Sequence, residues 1–324
     1  MLGGKRLNKI LYIVIPCFNE EEALPRTAKQ LKEKFDKLFK EQKISYMSRI
    51  VFVNDGSRDN TWEIIKKLNK ENEIFSGINL SSNTGHQNAL LAGLLTVKEK
   101  ADMVITMDAD LQDDINAIDE MINAYNNGAD IVYGVRSDRK KDSFFKRNTA
   151  KLFYKIMRFL GVNTVYNHAD FRLMSRRAVE ALENFKEVNL FLRGLVTMLG
   201  FKTEKVYYER KERVAGESKY PIKKMINFAL EGITSLSIKP IRMIIVLGFT
   251  VFLVSIGIVI YSLVRHFTGH TVTGWTSVMA SVWAIGGLML LAIGVVGEYI
   301  GKIYLETKQR PRFIIEENLE ENFK

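Results

Sequence analysis

One acidic stretch stands out in the chain: Thr106-Met107-Asp108-Ala109-Asp110-Leu111-Gln112-Asp113-Asp114, directly after the apolar run Met103-Val104-Ile105. An apolar run that ends in carboxylates predicts a buried strand with its polar residues at the carboxyl edge of a sheet, where open α/β folds bind ligands. On an extended backbone, Asp108 and Asp110 lie on the same face. Together with Gln112 they offer hard oxygen ligands suited to Mg²⁺ or Mn²⁺. Taken alone, the stretch also fits a polar turn between a strand and a helix.

Strand-like and helix-like segments alternate on both sides of this stretch. Apolar runs predict four further strands, at 10–15, 49–53, 77–80 and 130–134. Helical patterns follow the first three runs and begin near Asn19, Asn60 and Asn83. Strands that alternate with helices predict an α/β fold with a mainly parallel sheet that is covered on both faces.

Three of the loops after predicted strands are rich in polar side chains, namely 16–20, 54–57 and 108–110. Because the carboxyl ends of parallel strands meet at one edge, we expect these loops to form a single nucleotide-sized site. The chain contains neither a Gly-x-Gly-x-x-Gly motif nor a Gly-x4-Gly-Lys-Ser/Thr motif. A diphosphate would therefore have to be held by a metal ion and basic side chains.

Length and charge narrow the class of protein further. The chain has 324 residues, enough for one large or two ordinary domains, and its formal net charge is +10. A positive charge suits anionic partners, but no zinc-finger spacing or aromatic RNA-binding signature is present, so we expect no nucleic-acid partner. The single cysteine, Cys17, excludes an internal disulfide and a cysteine-cluster metal site.

Two long apolar runs near the C-terminus, 243–264 and 278–296, predict a transmembrane hairpin. Each is long enough to cross a hydrocarbon core of about 30 Å. We expect helices at about 241–265 and 275–301 within a membrane segment 240–304. The intervening loop 266–274 lacks Lys and Arg, whereas basic residues flank both outer ends. The positive-inside rule therefore predicts that the N-terminal domain and the tail, 305–324, face the cytosol. We expect a multi-pass protein of the plasma membrane.

The segment before the hairpin, 220–239, combines apolar residues with Lys223 and Lys224. This pattern predicts an amphipathic interfacial helix along the membrane face. Glycines in the second span, at 286, 287, 294, 297 and 301, provide small surfaces for helix contact and predict a homo-oligomer.

Four ordered motifs, at 15–20, 53–57, 108–112 and 167–174, carry a family resemblance. Together they resemble family 2 glycosyltransferases with the GT-A fold. More narrowly, the chain is similar to the polyprenyl-phosphate glycosyltransferases, which include bacterial bactoprenol glucosyltransferases and dolichyl-phosphate mannose synthase. The resemblance covers nearly the whole chain and implies a Rossmann-like GT-A catalytic domain at 1–219.

The resemblance also implies roles for individual residues, first around the donor substrate. The positions that bind nucleotide-sugar in the family are Pro16, Phe18, Glu20, Asp55, Asp108 and Ala109. The positions that attend the metal ion are Asp110, Gln112 and Asp108. Phe18 stands where a tyrosine is common, so it keeps the ring and lacks the hydroxyl. His86 stands where a basic residue is frequent, so its charge near the phosphates depends on pH.

A second group of implied roles concerns the acceptor and the chemistry. Arg136, Arg147 and Arg213 match positions that bind the lipid phosphate, and Arg213 lies in a loop that closes over the site in that family. Asp170 matches the catalytic carboxylate. From the residues alone, the basic stretch 136–158 also fits a solvated helix face. Likewise, 167–172 also fits a simple turn with an Asp-Arg pair.

The resemblance implies an inverting transfer of one hexose from a UDP-sugar to polyprenyl (undecaprenyl) phosphate on the cytosolic membrane face, for cell-envelope glycosylation. Glucose is the first expectation and N-acetylglucosamine the next, although the motifs themselves do not choose the sugar. One alternative is a membrane-bound polysaccharide synthase of the same fold, but the familiar synthases carry more spans and a Gln/Arg-x-x-Arg-Trp motif that is absent here. Another is a non-catalytic lipid-binding membrane module, which would not need the Asp-x-Asp row.

Overall fold

The structure is a computed structural model that describes residues 8–137, 159–160, 168–209, 232–235, 237–268 and 274–322. The chain divides into two compact units. The first comprises residues 1–154, 163–221 and 311–324, and the second comprises residues 155–162 and 222–310. Arg147, Arg213 and most of the predicted interfacial helix 220–239 lie outside the described residues.

A mixed sheet forms the centre of the first unit. Among the described residues it has eight strands: β1 Leu11–Cys17, β2 Arg49–Asn54, β3 Phe75–Leu80, β4 Met103–Thr106, β5 Ile131–Arg136, β6 His168–Ser175, β7 Thr203–Tyr208 and β8 Ile315–Asn318. They are arranged in the order β7-β5-β6-β4-β1-β2-β3-β8. The pairs β1–β2, β1–β4, β2–β3 and β5–β7 are parallel. β6 runs antiparallel to β4 and β5, and β8 runs antiparallel to β3. The predicted α/β class is confirmed.

Six described helices accompany this sheet: α1 Leu24–Lys40, α2 Thr61–Glu71, α3 His86–Val97, α4 Ala117–Asn126, α5 Arg176–Glu183 and α6 Leu192–Met198. α1 shows how the sequence sets their orientation. It has a proline in its first turn, where no backbone N–H is required. Its buried residues include Leu24, Leu31, Phe35 and Leu38, so one apolar stripe packs on the core.

The helix α3 packs unusually close to the sheet because of Gly93. A Cβ atom at Gly93 would lie 2.3 Å from Val14 of β1 and 2.8 Å from Val53 of β2. Any larger residue would push the helix away from the two central strands. The close packing fixes the first residue of the helix, His86, near the carboxyl ends of those strands.

The strand β6 corrects one reading of the sequence. Residues 168–172 also fitted a simple turn in the sequence analysis. They lie in a strand, so that alternative interpretation is wrong. The Asp-Arg pair is present, with Arg172 Nη2 2.7 Å from Asp170 Oδ1. Thr106 of β4 is in register with Arg172, and β6 runs antiparallel to β4. Asp170 therefore lies beside the carboxyl end of β4, where the acidic stretch begins.

The C-terminal tail predicted at 305–324 contains an additional strand, β8, which pairs with β3. Leu319 follows it and enters the core of the first unit beside Gly77. The carboxylate of Glu320 is buried and accepts hydrogen bonds from Lys100 Nζ at 3.0 Å and from the Tyr12 hydroxyl at 3.4 Å. The tail is therefore part of the sheet and core of the first unit.

The second unit contains two long apolar helices, α7 Lys239–Phe267 and α8 Trp275–Thr307. Both extend somewhat beyond the spans expected from the sequence. The segment Lys239–Ile258 has a mean hydropathy of 2.4, and the segment Ala284–Thr307 has one of 1.8. Each is long and apolar enough to cross a membrane, and neither window is buried within the protein.

Replacement of Leu319 tests the contribution of the tail to the catalytic unit. Because its side chain is only 7% exposed in the core, Leu319→Ala should lower the free energy of unfolding by about 2 kcal/mol or more. Thermal unfolding of the full-length protein in detergent would measure the shift. Ile314→Ala is the matched control, since Ile314 is 60% exposed and should cause little change. Equal shifts for the two variants would contradict the docking of the tail.

Candidate active site

The loops after β1 and β2 are joined by hydrogen bonds at the carboxyl edge of the sheet. The backbone N–H of Asp55 donates to the carbonyl of Cys17 at 2.9 Å. The Asn19 N–H donates to Ser57 Oγ at 3.0 Å, and the Glu20 N–H donates to Thr61 Oγ1 at 2.9 Å. The structure thus brings together two of the three loops that the sequence assigned to one site.

The residues predicted to hold the base and ribose differ in their exposure. Pro16 is buried within β1, whereas Phe18 is 44% exposed directly after the strand. Glu20 is half-buried, and its carbonyl accepts the Leu24 N–H at the start of α1. Phe18 is therefore accessible to a ligand, whereas the Pro16 side chain is not.

The carboxylate of Asp55 is fully engaged by the loop that leads into α3. Its Oδ1 accepts the Thr84 N–H at 2.7 Å and the Thr84 hydroxyl at 3.1 Å, and its Oδ2 accepts the Gly85 N–H at 3.0 Å. Gly56 has φ +62°, and a Cβ there would lie 2.5 Å from the backbone nitrogen of Asn83. The Asp55-Gly56 turn therefore fixes the shape of the loop before α3.

The acidic loop after β4 has an unusual backbone. Leu111 adopts a positive φ of 54°, a conformation that costs a non-glycine residue on the order of 1 kcal/mol or more. Asp110 Oδ1 accepts the N–H of Gln112 at 3.1 Å, and Gln112 is only 5% exposed. The carbonyl of Ala109 accepts the Thr27 hydroxyl at 2.6 Å. These contacts hold Asp110 and Gln112 in one tight turn, and Asp108 directly precedes it.

The charges around Asp108 fit a divalent cation. The side chain of Asp108 is 37% exposed, although the surrounding protein still removes much of the water around its carboxylate. Burial, together with the charges of nearby carboxylates, raises the pKa of Asp108 to about 6 although His86 opposes the shift. Within the described part of the chain, no three His, Cys, Asp or Glu side chains form a ready-made metal cluster. Asp108, Asp110 and Gln112 could therefore supply only part of the coordination sphere of a divalent cation.

Asp170 is surrounded by cationic side chains. Arg193 donates from Nε to Oδ1 at 3.1 Å and from Nη2 to Oδ2 at 2.8 Å, while Arg172 donates to Oδ1 at 2.7 Å. His86 Nε2 lies 3.7 Å from Asp170 Oδ2 and 3.6 Å from Asp108 Oδ1. Thr106, at the end of β4, donates its hydroxyl hydrogen bond to the carbonyl of Asp170. The imidazole thus bridges the acidic loop and the predicted catalytic carboxylate.

The electrostatic balance keeps Asp170 ionised. Burial opposes the charged form, but the charges of Arg193 and Arg172 and the interaction with His86 outweigh it, so the pKa of Asp170 lies well below its usual range. Burial likewise favours neutral His86, but Asp170 and Asp108 raise the pKa of the imidazole. A carboxylate with such a low pKa is a poor proton acceptor at neutral pH.

Arg136, at the end of β5, is held by two side chains that the sequence analysis did not select. Its Nη2 lies 3.4 Å from Asp113 Oδ1, and its Nε donates to the Tyr208 hydroxyl at 3.4 Å. Tyr208 in turn donates a short hydrogen bond to Asp113. Burial, followed by the charge of Asp113, raises the pKa of Tyr208. These partners leave the Arg136 side chain 27% exposed in a defined position.

The sequence also did not predict a role for Arg193 at the site. It lies in Phe191-Leu192-Arg193-Gly194, a short apolar helix start with no spacing that relates it to Asp170. An arginine within an otherwise apolar segment was the only signal available. Asp113 was quoted within the acidic stretch, but nothing in the sequence linked it to Tyr208.

The comparison with known proteins identifies the family. Residues 12–183 match the family described as Glycosyl transferase family 2, and residues 239–303 match the GtrB C-terminal hairpin. The chain belongs to glycosyl transferase family 2. It is therefore a glycosyltransferase, and the resemblance and the GT-A fold predicted from the motifs are confirmed. The hairpin match and the two apolar helices support membrane association.

Three relatives show how far the similarity extends. A Bacillus subtilis protein named uncharacterized glycosyltransferase YkoT is 50% identical over 97% of this chain and 94% of its own length. The bactoprenol glucosyl transferase of Shigella phage SfX is 43% identical, and an Escherichia coli prophage bactoprenol glucosyl transferase homolog is 41% identical. Both alignments cover 94% of this chain and 97% of the relative.

A substitution at Asp55 tests its contribution to the loop before α3. In Asp55→Asn, one oxygen is replaced by an amide NH₂ that cannot accept from the backbone N–H groups of Thr84 or Gly85. We expect a loss of about 1–3 kcal/mol in stability and faster amide hydrogen exchange at 84–85. Asp36→Asn is the control, because Asp36 is about half exposed and pairs only with Lys32 among the described ion pairs. Unchanged exchange at 84–85 would contradict the assignment.

Proposed function

We propose that the chain transfers glucose, with inversion, from UDP-glucose to polyprenyl (undecaprenyl) phosphate. The observation that carries this proposal is the similarity to relatives named bactoprenol glucosyl transferase, at 41–43% identity over 94% of the chain. The similarity spans both the catalytic domain and the hairpin. We therefore propose the same sugar and the same class of lipid acceptor as in the names of those relatives. N-acetylglucosamine is the second candidate for the sugar.

The donor is proposed to occupy the edge formed by the loops after β1, β2 and β4. Phe18 would stack on the base, and Pro16 and Glu20 would shape its pocket. Asp55 would act through the loop it holds as well as through the ribose or base. Asp108 and Ala109 would lie along the diphosphate.

A divalent cation, Mg²⁺ or Mn²⁺, is proposed at Asp110, Gln112 and Asp108. When bound, the cation would neutralise charge that develops on the diphosphate leaving group. Family membership supports the proposal, as does the raised pKa of Asp108, which results from burial and then from the charges of nearby carboxylates.

The acceptor phosphate is proposed to bind at Arg136, with Arg147 and Arg213 completing the site as the sequence implies. Asp113 and Tyr208 hold the Arg136 guanidinium in a fixed position. A fixed guanidinium can make charge-assisted bidentate hydrogen bonds to a phosphate.

Asp170 is proposed to orient the acceptor or the sugar hydroxyls. A phosphate monoester has a second pKa near 6, so it is already largely a dianion at neutral pH and hardly needs a base. The cationic partners that lower the pKa of Asp170 support orientation over proton transfer.

The membrane arrangement is proposed from the charge pattern of the sequence. The hairpin would anchor the enzyme in the plasma membrane as a multi-pass protein, with the catalytic unit in the cytosol, where UDP-sugars are made. The glycines of α8 would support a homo-oligomer.

A transfer assay tests the proposed function directly. Purified full-length protein is given Mn²⁺, undecaprenyl phosphate and one labelled donor, either UDP-glucose, UDP-N-acetylglucosamine or GDP-mannose. We expect lipid-linked product from UDP-glucose, and its loss in Asp110→Ala because the diphosphate would lack charge neutralisation. Asp36→Ala, on the exposed face of α1, is the control that should retain activity. Product from GDP-mannose alone, or full turnover in EDTA, would contradict the proposal.

Metal binding should depend on the ionisation of Asp108. Because the pKa of Asp108 is raised to about 6, protons compete with the cation below that pH. We expect Mn²⁺ affinity, measured by electron paramagnetic resonance without substrates, to fall as the pH is lowered from about 7 to about 5. Asp108→Asn should bind Mn²⁺ more weakly and with a smaller pH dependence. Wild-type affinity that is constant across this range would refute the assignment.

A further inference from the structure

We propose that Arg193 is a positioning residue for glycosyl transfer, because its guanidinium fixes Asp170 in one orientation at the site. The inference rests on the proposed function and assigns a role to a residue that the sequence motifs do not include. Three features of the structure support it. They are the two hydrogen bonds between Arg193 and Asp170, the anchoring of the helix α6 that contains Arg193, and the different exposure of Arg193 and Arg172.

The first feature is the two-pronged contact between Arg193 and Asp170. Nε donates to Oδ1 at 3.1 Å and Nη2 donates to Oδ2 at 2.8 Å, so both carboxylate oxygens are gripped by one planar group. Such a contact specifies the rotation of the carboxylate as well as its location. A lysine could supply the charge but not the fork.

The second feature is the anchoring of Arg193 itself. The N–H of Leu192, the first residue of α6, donates to Gln87 Oε1 at 2.8 Å. Gln87 follows His86 in α3, the helix that packs closely on the sheet through Gly93. Leu192 is also buried. The same helix end therefore fixes both His86 and the backbone that carries Arg193.

The third feature is the contrast between Arg193 and Arg172. The Arg172 side chain is 1% exposed, while that of Arg193 is 31% exposed. Arg172 compensates the charge of Asp170 from inside the protein, whereas Arg193 reaches it from the accessible side. If Arg193 is replaced, the Arg172–Asp170 pair remains, so the substitution does not leave a buried carboxylate without a partner. Arg193 can therefore be tested without the large penalty expected at Arg172.

The consequence concerns catalysis more than donor binding. If Asp170 orients the acceptor or a sugar hydroxyl, loss of the fork lets its carboxylate rotate away from the productive geometry. A misplacement of about 1 Å can reduce a rate on the order of a hundredfold. Arg193 contacts Asp170 of β6, whereas Phe18 and Asp55 of the proposed donor pocket follow β1 and β2, so donor affinity should change little.

The test compares Arg193→Lys and Arg193→Ala with Arg177→Ala in the full-length protein. Arg177 also grips both oxygens of an aspartate, Asp130, but this pair lies before β5, at the edge of the sheet opposite Arg136. Measurements are kcat and donor KM for undecaprenyl phosphate glucosylation, the thermal midpoint, and the rate with added guanidinium ion at millimolar concentration.

We expect both Arg193 variants to lose about a hundredfold in kcat, with donor KM within about twofold of wild type. Added guanidinium should restore part of the rate of Arg193→Ala, because it can occupy the vacated position beside Asp170. Arg177→Ala should keep its rate and gain nothing from guanidinium.

The outcomes separate this inference from the proposed function. An inactive wild-type protein with every donor would refute the proposed function. An active wild type together with a normal rate in Arg193→Lys and Arg193→Ala would overturn the role of Arg193 alone. A loss of rate that accompanies a lowered thermal midpoint and is not rescued by guanidinium would show a purely structural role, and would also overturn the inference.

Discussion

The site depends on one carboxylate, Asp170, that is only 13% exposed and stays charged. An ionised side chain is costly to remove from water unless it is paired and hydrogen-bonded, and Asp170 meets this requirement through Arg172, Arg193 and His86. These partners come from β6, α6 and α3, elements that are far apart in the sequence. Their convergence depends on β6 lying antiparallel beside β4 and on α3 packing closely on β1 and β2.

The need to pair charged side chains also applies to the rest of the carboxyl edge of the sheet. Asp108, Asp110 and Asp113 lie near one another after β4, so the acidic loop alone would repel a diphosphate and a phosphate. Arg136 offsets part of this charge and is held by Asp113 and Tyr208. A divalent cation at the acidic loop would offset more, and the raised pKa of Asp108 reflects its burial and the crowding that such a cation would relieve. This balance of charges supports the proposal that the site binds two anionic substrates.

The sequence predicted those elements whose residues carry a local signal. The strands β1 to β5 were predicted because each is an apolar run between turn residues, and the membrane helices because their apolar runs are long. The strands β6, β7 and β8 were not predicted. β6 contains Asp170 and the buried Arg172, whose charges mutually compensate only after folding. β8 has just four residues, Ile315–Asn318, and its pairing with β3 spans most of the chain. Arg193 as a partner of Asp170, and Asp113 and Tyr208 as partners of Arg136, were missed because only the folded chain brings these side chains together.

The central claim is that the acceptor phosphate is already ionised and needs no base to remove a proton. Asp170 then orients the reactants. The most direct measurement is the pH dependence of single-turnover transfer at saturating Mn²⁺. The acceptors would be two polyprenyl analogues, a methylenephosphonate and a difluoromethylenephosphonate, which differ mainly in the acidity of the acceptor group. The account predicts that the midpoint of the rate rise moves to lower pH with the more acidic difluoro acceptor. A midpoint that is the same for both acceptors and disappears in Asp170→Asn would show that Asp170 is a base and would contradict the account.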